Sequence, residues 1–198
     1  MEHYFSSEPK APSRPITIFA RLRGKGYTFL SDRSVFSRGA VDAGTRLLIE
    51  TVEVEDCRRA LDWGCGYGAI GLVLADQFPH LEVTLIDINP RAVALAQANA
   101  QRWGLQNVRV LLSDGYAALQ GEIFDAILSN PPVRAGKKVL WALIEGAKDH
   151  LGSGGSLWLV QRTRMGAKST LRKMEEVFGA AETVDIQGGY RVLRAVRR

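Results

Sequence analysis

The sequence is poor in the residues that disulfide and metal chemistry need. Its 198 residues hold two cysteines, Cys57 and Cys65, and three histidines, His3, His80 and His150. Two cysteines cannot make the disulfide framework of a small secreted domain, so a reducing, cytoplasmic setting is expected. No histidine lies near another or near a cysteine in sequence, so no zinc-ligand spacing exists and no metal is expected. Long apolar runs are also missing, and none is long enough to cross a bilayer. The start, Met1-Glu2-His3-Tyr4-Phe5, lacks the basic-then-apolar order of a signal peptide. Charge of one sign is only slightly in surplus. The 26 Lys and Arg against 21 Asp and Glu give a net +5, which favours a nucleic-acid partner without requiring one.

What is present suits one domain. A chain with 46% hydrophobic and 24% charged residues can bury a core without staples. Residues 1–15 carry Pro9, Pro12 and Pro15 and little apolar content, and read as a flexible arm. The rest, 16–198, reads as a single domain without linker or repeat. Residues 16–22 and 27–30 flank Arg23-Gly24-Lys25-Gly26, which predicts a β-hairpin over 16–31. Gly39 to Asp42 reads as a turn and 45–54 as a helix, with Leu47, Leu48 and Val52 inward.

From residue 60 to 196 short β-type runs alternate with helical ones. Strands are predicted at 60–63, 82–87, 107–112, 123–128, 156–161, 181–186 and 190–195, and helices at 68–77, 90–103, 138–150 and 166–178. That rhythm implies parallel βαβ units with helices on both faces of one sheet. Pro90 suits a first helical turn and Gly104 suits a helix end. Only Gln187-Gly188-Gly189 separates the last two strands, too few residues for a crossover, so they form an antiparallel hairpin.

The stretch Asp62-Trp63-Gly64-Cys65-Gly66-Tyr67-Gly68-Ala69-Ile70-Gly71 lies between the first core strand and its helix. Glycines there let the backbone turn sharply and approach a ligand, and the helix start offers free N–H groups. Asp87 ends the next strand, where an acid can accept both hydroxyls of a ribose. Gly64, Gly66 and Ala69 also fit the looser dinucleotide fingerprint, so a nicotinamide-dependent dehydrogenase stays open on these residues, as does a tight turn with no ligand. Cys65 reads as a small packed side chain rather than a nucleophile, since no histidine is near it in sequence.

Asp62-x-Gly64-x-Gly66-x-Gly68 followed by Asp87 resembles the first two motifs of class I S-adenosylmethionine-dependent methyltransferases. The resemblance implies a Rossmann-like α/β fold, with a seven-stranded, mostly parallel sheet and a C-terminal antiparallel hairpin. It implies S-adenosylmethionine as cofactor, with Asp62, Gly64, Cys65, Gly66 and Gly68 against its methionine part and Asn130 also in contact with it. Asp87 would then hold the ribose, Ile88 pack on the adenine, and Asp114 and Gly115 of Ser113-Asp114-Gly115 contact the adenine. As a residue by itself, Asp114 could equally be a turn former.

Phe124-Asp125-Ala126-Ile127-Leu128-Ser129-Asn130-Pro131-Pro132 closes the fourth core strand, at the end where open α/β sheets bind ligands. Prolines stop the ladder and stiffen the chain beyond the strand, and Asn130 before one of them is pushed toward an extended shape. An exocyclic amine or side-chain amide is a poor nucleophile because its lone pair is delocalised. The side-chain oxygen of Asn130 and the carbonyl of Pro131 can both accept from such an NH2 group, aim its lone pair and stabilise charge growing on nitrogen. Read without context the motif could be a rigid turn. With Pro132 it resembles the fourth motif of amino-methyltransferases, usually completed by an aromatic where this chain has Val133. Phe36 or the plane of Arg134 could supply the missing stacking surface.

Val35-Phe36-Ser37 through Asp42-Ala43-Gly44-Thr45, taken with Ser129 to Lys138, is similar to the small-subunit ribosomal RNA guanine-N2 methyltransferase family over nearly all of 16–196. Longer members carry an additional N-terminal half that this sequence lacks. The resemblance implies that Phe36 lies beside cofactor and target, and that RNA is the partner of a monomer or weak dimer. Arg134, Lys137 and Lys138 could grip phosphates around the target, or simply form a solvated helix start; Phe36 could instead pack in the core. Other readings keep the chemistry on a protein glutamine amide or another base amine, or reduce the chain to a non-catalytic cofactor- or RNA-binding module.

Overall fold

The computed structural model describes residues 14–32, 39–131 and 136–198. The arm up to residue 13, Phe36, Pro132, Val133 and Arg134 lie outside the described residues. Strands β1 (Pro15–Leu22) and β2 (Lys25–Asp32) pair antiparallel from Pro15↔Asp32 to Leu22↔Lys25. Their turn is Arg23-Gly24 alone, both residues left-handed at φ +46° and +78°, the twist that matches a two-residue hairpin. Four turn residues were expected; Lys25 and Gly26 join the ladder instead. The strained Arg23 is held by what it caps. Its guanidinium donates to the carbonyls of Ile49 (2.9 Å) and Val52 (3.1 Å) at the end of α1 (Ala43–Thr51). A cation there offsets the negative end of the helix dipole.

The main sheet is built from β3 (Arg59–Trp63), α2 (Ala69–Gln77), β4 (Glu82–Asp87), α3 (Pro90–Arg102), β5 (Val108–Leu112), β6 (Phe124–Ser129), α4 (Gly136–His150), β7 (Leu151–Arg162), α5 (Ala167–Phe178), β8 (Glu182–Gln187) and β9 (Tyr190–Val196). The strand order is β5-β4-β3-β6-β7-β9-β8, with the first five parallel and β9 antiparallel to both neighbours. The seven-stranded α/β sheet and the antiparallel closing hairpin are as expected, and Gly188-Gly189 makes the final turn with φ +57° and +80°. Strand β7 starts five residues earlier than its apolar run. Leu151 pairs with Phe124 and the register then jumps to Ser156 opposite Ala126, so Gly152-Ser153-Gly154-Gly155 bulges out. Bonds from Gly154 N to Arg197 O (2.7 Å) and from Arg197 N to Gly155 O (2.8 Å) satisfy that backbone.

Alternation along the strands divides the core in two. Leu61, Ile127, Leu157 and Leu159 pack with Leu143, Ile144 and Met174 of α4 and α5. Ala60, Leu128, Trp158 and Val160 pack on the other face, with Leu48 of α1 and Leu72 of α2. The hairpin β1–β2 docks on α3 through the fully buried Asn99. That amide donates to Leu30 O (2.9 Å) and Tyr67 O (3.0 Å) and accepts from Leu30 N (2.7 Å), tying the hairpin to the glycine loop. The rings of Phe29 and Trp103 close the joint at 5.0 Å.

Candidate active site

The chain leaves β3 and β6, the central neighbours, in opposite directions across the sheet. The crevice outside their carboxyl ends is where open α/β sheets bind ligands. The topology brings four predicted groups to this end: the loop after β3, Asp87 and Ile88 at the end of β4, Ser113 to Gly115 after β5, and Asn130-Pro131 after β6.

The glycine loop is pinned to β4. Gly64 N and Cys65 N both donate to Ile86 O at 2.9 Å, and Gly68 N returns to Cys65 O at 2.9 Å. Its glycines serve two ends. At Gly68 a Cβ would lie 2.7 Å from Leu72 and at Gly71 2.8 Å from Leu85, so these let α2 close on the sheet. Gly64, at φ +72°, has no described residue within 4 Å of that position. Cys65 is buried, and burial together with Asp62 and Asp87 pushes its thiol well above the ordinary range. It stays a neutral packed side chain.

The carboxyl ends of β3, β4 and β5 carry three carboxyls. Asp62 is wholly buried; Oδ2 accepts from Gly71 N at 2.8 Å and Oδ1 has no partner among the described residues. Burial pushes its pKa up to about 7, against the pull of the Gly71 N–H and with a push from Asp87. Asp87 accepts from Gly66 N (2.9 Å) and Asn89 N (2.8 Å), and burial likewise raises it. Each of its oxygens keeps room for a further donor. Asp114 is exposed and its carboxylate takes no partner among the described residues. The turn around it is built by Ser113 instead, whose hydroxyl donates to Gly115 O (2.8 Å) and accepts from Ala118 N (3.1 Å). Ile88 is half-buried beside them. A buried carboxyl oxygen without a partner among the described residues, with Asp87 adding negative charge nearby, suits a cofactor that carries an ammonium and a sulfonium.

Asn130 is half-buried, and Ser129 Oγ, donating to Trp63 O at 2.7 Å, fixes the strand end before it. Its Nδ2 donates to Asp42 Oδ1 (3.1 Å) and to Thr45 Oγ1 (2.9 Å), which leaves Oδ1 as the acceptor of the side chain. Asp42 and Thr45 belong to the segment that carries the family resemblance, but the sequence assigns them no contact with Asn130. Asp-x-Gly-Thr before an apolar run is a helix-start signature, and Asp42 does cap α1 by accepting from Gly44 N (2.9 Å) and Thr45 N (3.3 Å). Nothing local links it to a residue 88 positions away.

Lys137 and Lys138 stand exposed in the first turn of α4, a helix with no acid in that turn. Arg164 and Lys168 come after the end of β7, next to β6. Among the described residues none of these four forms an ion pair. Cations at a helix N-terminus are electrostatically unfavourable unless an anion joins them. Among the described residues no cluster of His, Cys, Asp and Glu is fit to hold a metal, and no helix is long and apolar enough to cross a membrane.

Residues 26–194 match the family model described as Methyltransferase small domain. The chain is 43% identical to Uncharacterized protein YbxB of Bacillus subtilis (strain 168), over 98% of each. It is 35% identical to Ribosomal RNA small subunit methyltransferase C of Pseudomonas entomophila (strain L48), covering 82% of this chain and 49% of that one. The structure of T. thermophilus 16S rRNA N2 G1207 methyltransferase (RsmC), in complex with AdoMet and guanosine, superposes with a TM-score of 0.84 at 33% identity. It covers 96% of this chain and 52% of its own. The chain thus spans about half the length of these ribosomal RNA methyltransferases and nearly all of YbxB.

Proposed function

The chain belongs to the methyltransferase small domain family, and from that premise we propose that it methylates the exocyclic 2-amino group of a guanine in small-subunit ribosomal RNA, with S-adenosylmethionine as methyl donor. The observation that carries this reading is the Asn130 amide. With Nδ2 committed to Asp42 and Thr45, Oδ1 is left to accept from an NH2 group at the carboxyl end of β6.

When bound, the cofactor supplies a methyl carbon on a positively charged sulfur. The glycine loop and Asp62, Asp87, Ile88, Asp114 and Gly115 would hold it. Asn130 Oδ1 and the Pro131 carbonyl accept hydrogen bonds from the two amine N–H groups, turn the nitrogen lone pair toward the methyl and stabilise the positive charge as it develops. No strong base is needed, because a proton on the methylated nitrogen is acidic enough to pass to water. Lys137 and Lys138, with Arg134 beside them in sequence, would contact phosphates flanking the target, which must leave its stack to enter the crevice. Guanine is favoured over other amines by the likeness to a methyltransferase whose complex holds guanosine and whose name specifies N2 of a 16S rRNA guanine.

The test incubates the full chain with labelled S-adenosylmethionine and small subunits lacking this methylation, and identifies the product by nucleoside mass spectrometry. N2-methylguanosine is the expected product, and Asn130→Ala lowers its kcat by about 100- to 1000-fold while cofactor binding persists. Label confined to protein, or to another base, overturns the assignment.

A further inference from the structure

An asparagine side chain is nearly symmetric in shape and strongly polar in chemistry: one end only accepts and the other only donates. Asn130 serves an amine only if the accepting end faces it, so some neighbour must decide which way the amide turns. Asp42 has the means. Its Oδ1 already receives Gly44 N (2.9 Å) and Thr45 N (3.3 Å), and a carboxylate has no proton to give. A reversed amide would set its oxygen against that carboxylate oxygen, in place of the 3.1 Å bond from Nδ2. Thr45 alone could not enforce the choice, because a hydroxyl both gives and takes.

Asp42 is itself anchored from the far end of the chain. Tyr190 Oη donates to Asp42 Oδ2 at 3.1 Å and accepts from Arg162 Nε at 2.9 Å. The Arg162 guanidinium lies 4.9 Å from the centroid of the Tyr190 ring, and the two residues face each other across the β7–β9 ladder. The seat is close: a Cβ on Gly44 would come within 2.6 Å of that ring. We infer that Asp42 is a positioning residue that sets the polarity of Asn130, and that Tyr190, backed by Arg162, holds Asp42 to that orientation. The inference rests on the reading of Asn130 as acceptor for the target amine.

Asp42→Ser tests it, because serine caps a helix as well as aspartate does but is too short to keep the Asn130 bond. Expected is a fall in kcat of about 100-fold for guanine methylation, with KM for the RNA and cofactor affinity within about twofold of the parent. Tyr190→Phe, which removes one hydroxyl, is expected to lower kcat by about tenfold. An unchanged kcat in Asp42→Ser overturns the inference and leaves Asp42 a helix cap. So does a fall matched by equal losses of cofactor affinity or thermal stability. A second readout is independent of any substrate. The Asn130 side-chain NH2, identified by NMR through its loss in Asn130→Asp, exchanges slowly with solvent in the parent and quickly in Asp42→Ser. Equal exchange in the two overturns the inference. If no RNA is methylated, the proposed function fails while the exchange result still decides the role of Asp42.

Discussion

At the amino ends of β3, β5 and β6 several charges are compensated within the chain. Arg59, the first residue of β3, lies 2.8 Å from Glu122, and Arg109 of β5 lies 2.5 Å from the same carboxylate. Asp125 accepts the backbone N–H groups of Arg58 (2.8 Å) and Arg59 (2.9 Å), binding the start of β3 to β6. At the carboxyl ends the reverse holds. Among the described residues, Asp62 is buried with one oxygen unpartnered, Asp114 is exposed with no carboxylate partner, and α4 opens with two unpaired lysines against its own dipole. The two ends belong to the same strands, so fold class does not explain the difference. At one end Arg59, Arg109 and Asp125 find their partners within the chain. The other leaves such groups open at local cost, which is what a sheet does where it receives ligands.

The contrast is tested most strongly by removing free charge at one end and paired charge at the other. Lys137→Gln with Lys138→Gln is expected to flatten the slope of log affinity for RNA against log salt by about 1.4 to 1.8, the share of two phosphate contacts. Arg59→Gln with Arg109→Gln removes as much formal charge and is expected to leave the slope unchanged. Filter binding across a salt series reads both. Equal slopes in the two double variants would mean that total charge, not its placement, governs RNA binding.

A smaller effect belongs to Asp62. Its folded-state pKa of about 7 lies above the ordinary carboxylate value, so folding takes up a proton. The stability this contributes is complete below about pH 4 and is lost as pH rises through about 7. A cationic ligand favours the ionised form, so cofactor affinity should rise with pH through the same upper range, by at most about tenfold per unit. Calorimetry between pH 6 and 7.5 should find that rise in the parent and a flat profile in Asp62→Asn. A parallel rise in both would assign the titration to another group.

These two ends were unequally legible in the sequence. The βαβ rhythm, the glycine loop and Asn130-Pro131 are local patterns, and each lies on the strand or turn expected of it. The order of strands brought Asp62, Asp87, Asp114 and Asn130 to one crevice, since every crossover returns the chain to the same end of the sheet. What stayed hidden has no local signature. Asp42 meets Asn130 and Tyr190 over 88 and 148 positions, and Asn99 reaches Leu30 over 69. The early start of β7 was masked by Gly152, Gly154 and Gly155, which read as a loop because the ladder there depends on Arg197 from the other end of the chain.

The smallest effect lies at the amino ends. Burial works against ionisation of Glu122, but the guanidiniums of Arg109 and Arg59 outweigh it and hold the carboxyl below its ordinary value. The sign is therefore opposite to that of Asp62: the stabilisation is present above the unfolded pKa, near 4.3, and is lost as pH falls through the folded one. Its size is limited because the arginine side chains remain 39% and 48% exposed, so water and salt screen both pairs. Glu122→Gln should lower stability by about 0.5–1 kcal/mol at neutral pH and low salt, and by nothing measurable in strong acid or at 1 M salt. Thermal unfolding at pH 7 and pH 3, with and without salt, reads this directly. A loss that survives both acid and salt would come instead from packing around Arg59, whose guanidinium lies 5.0 Å from the centroid of the Phe124 ring.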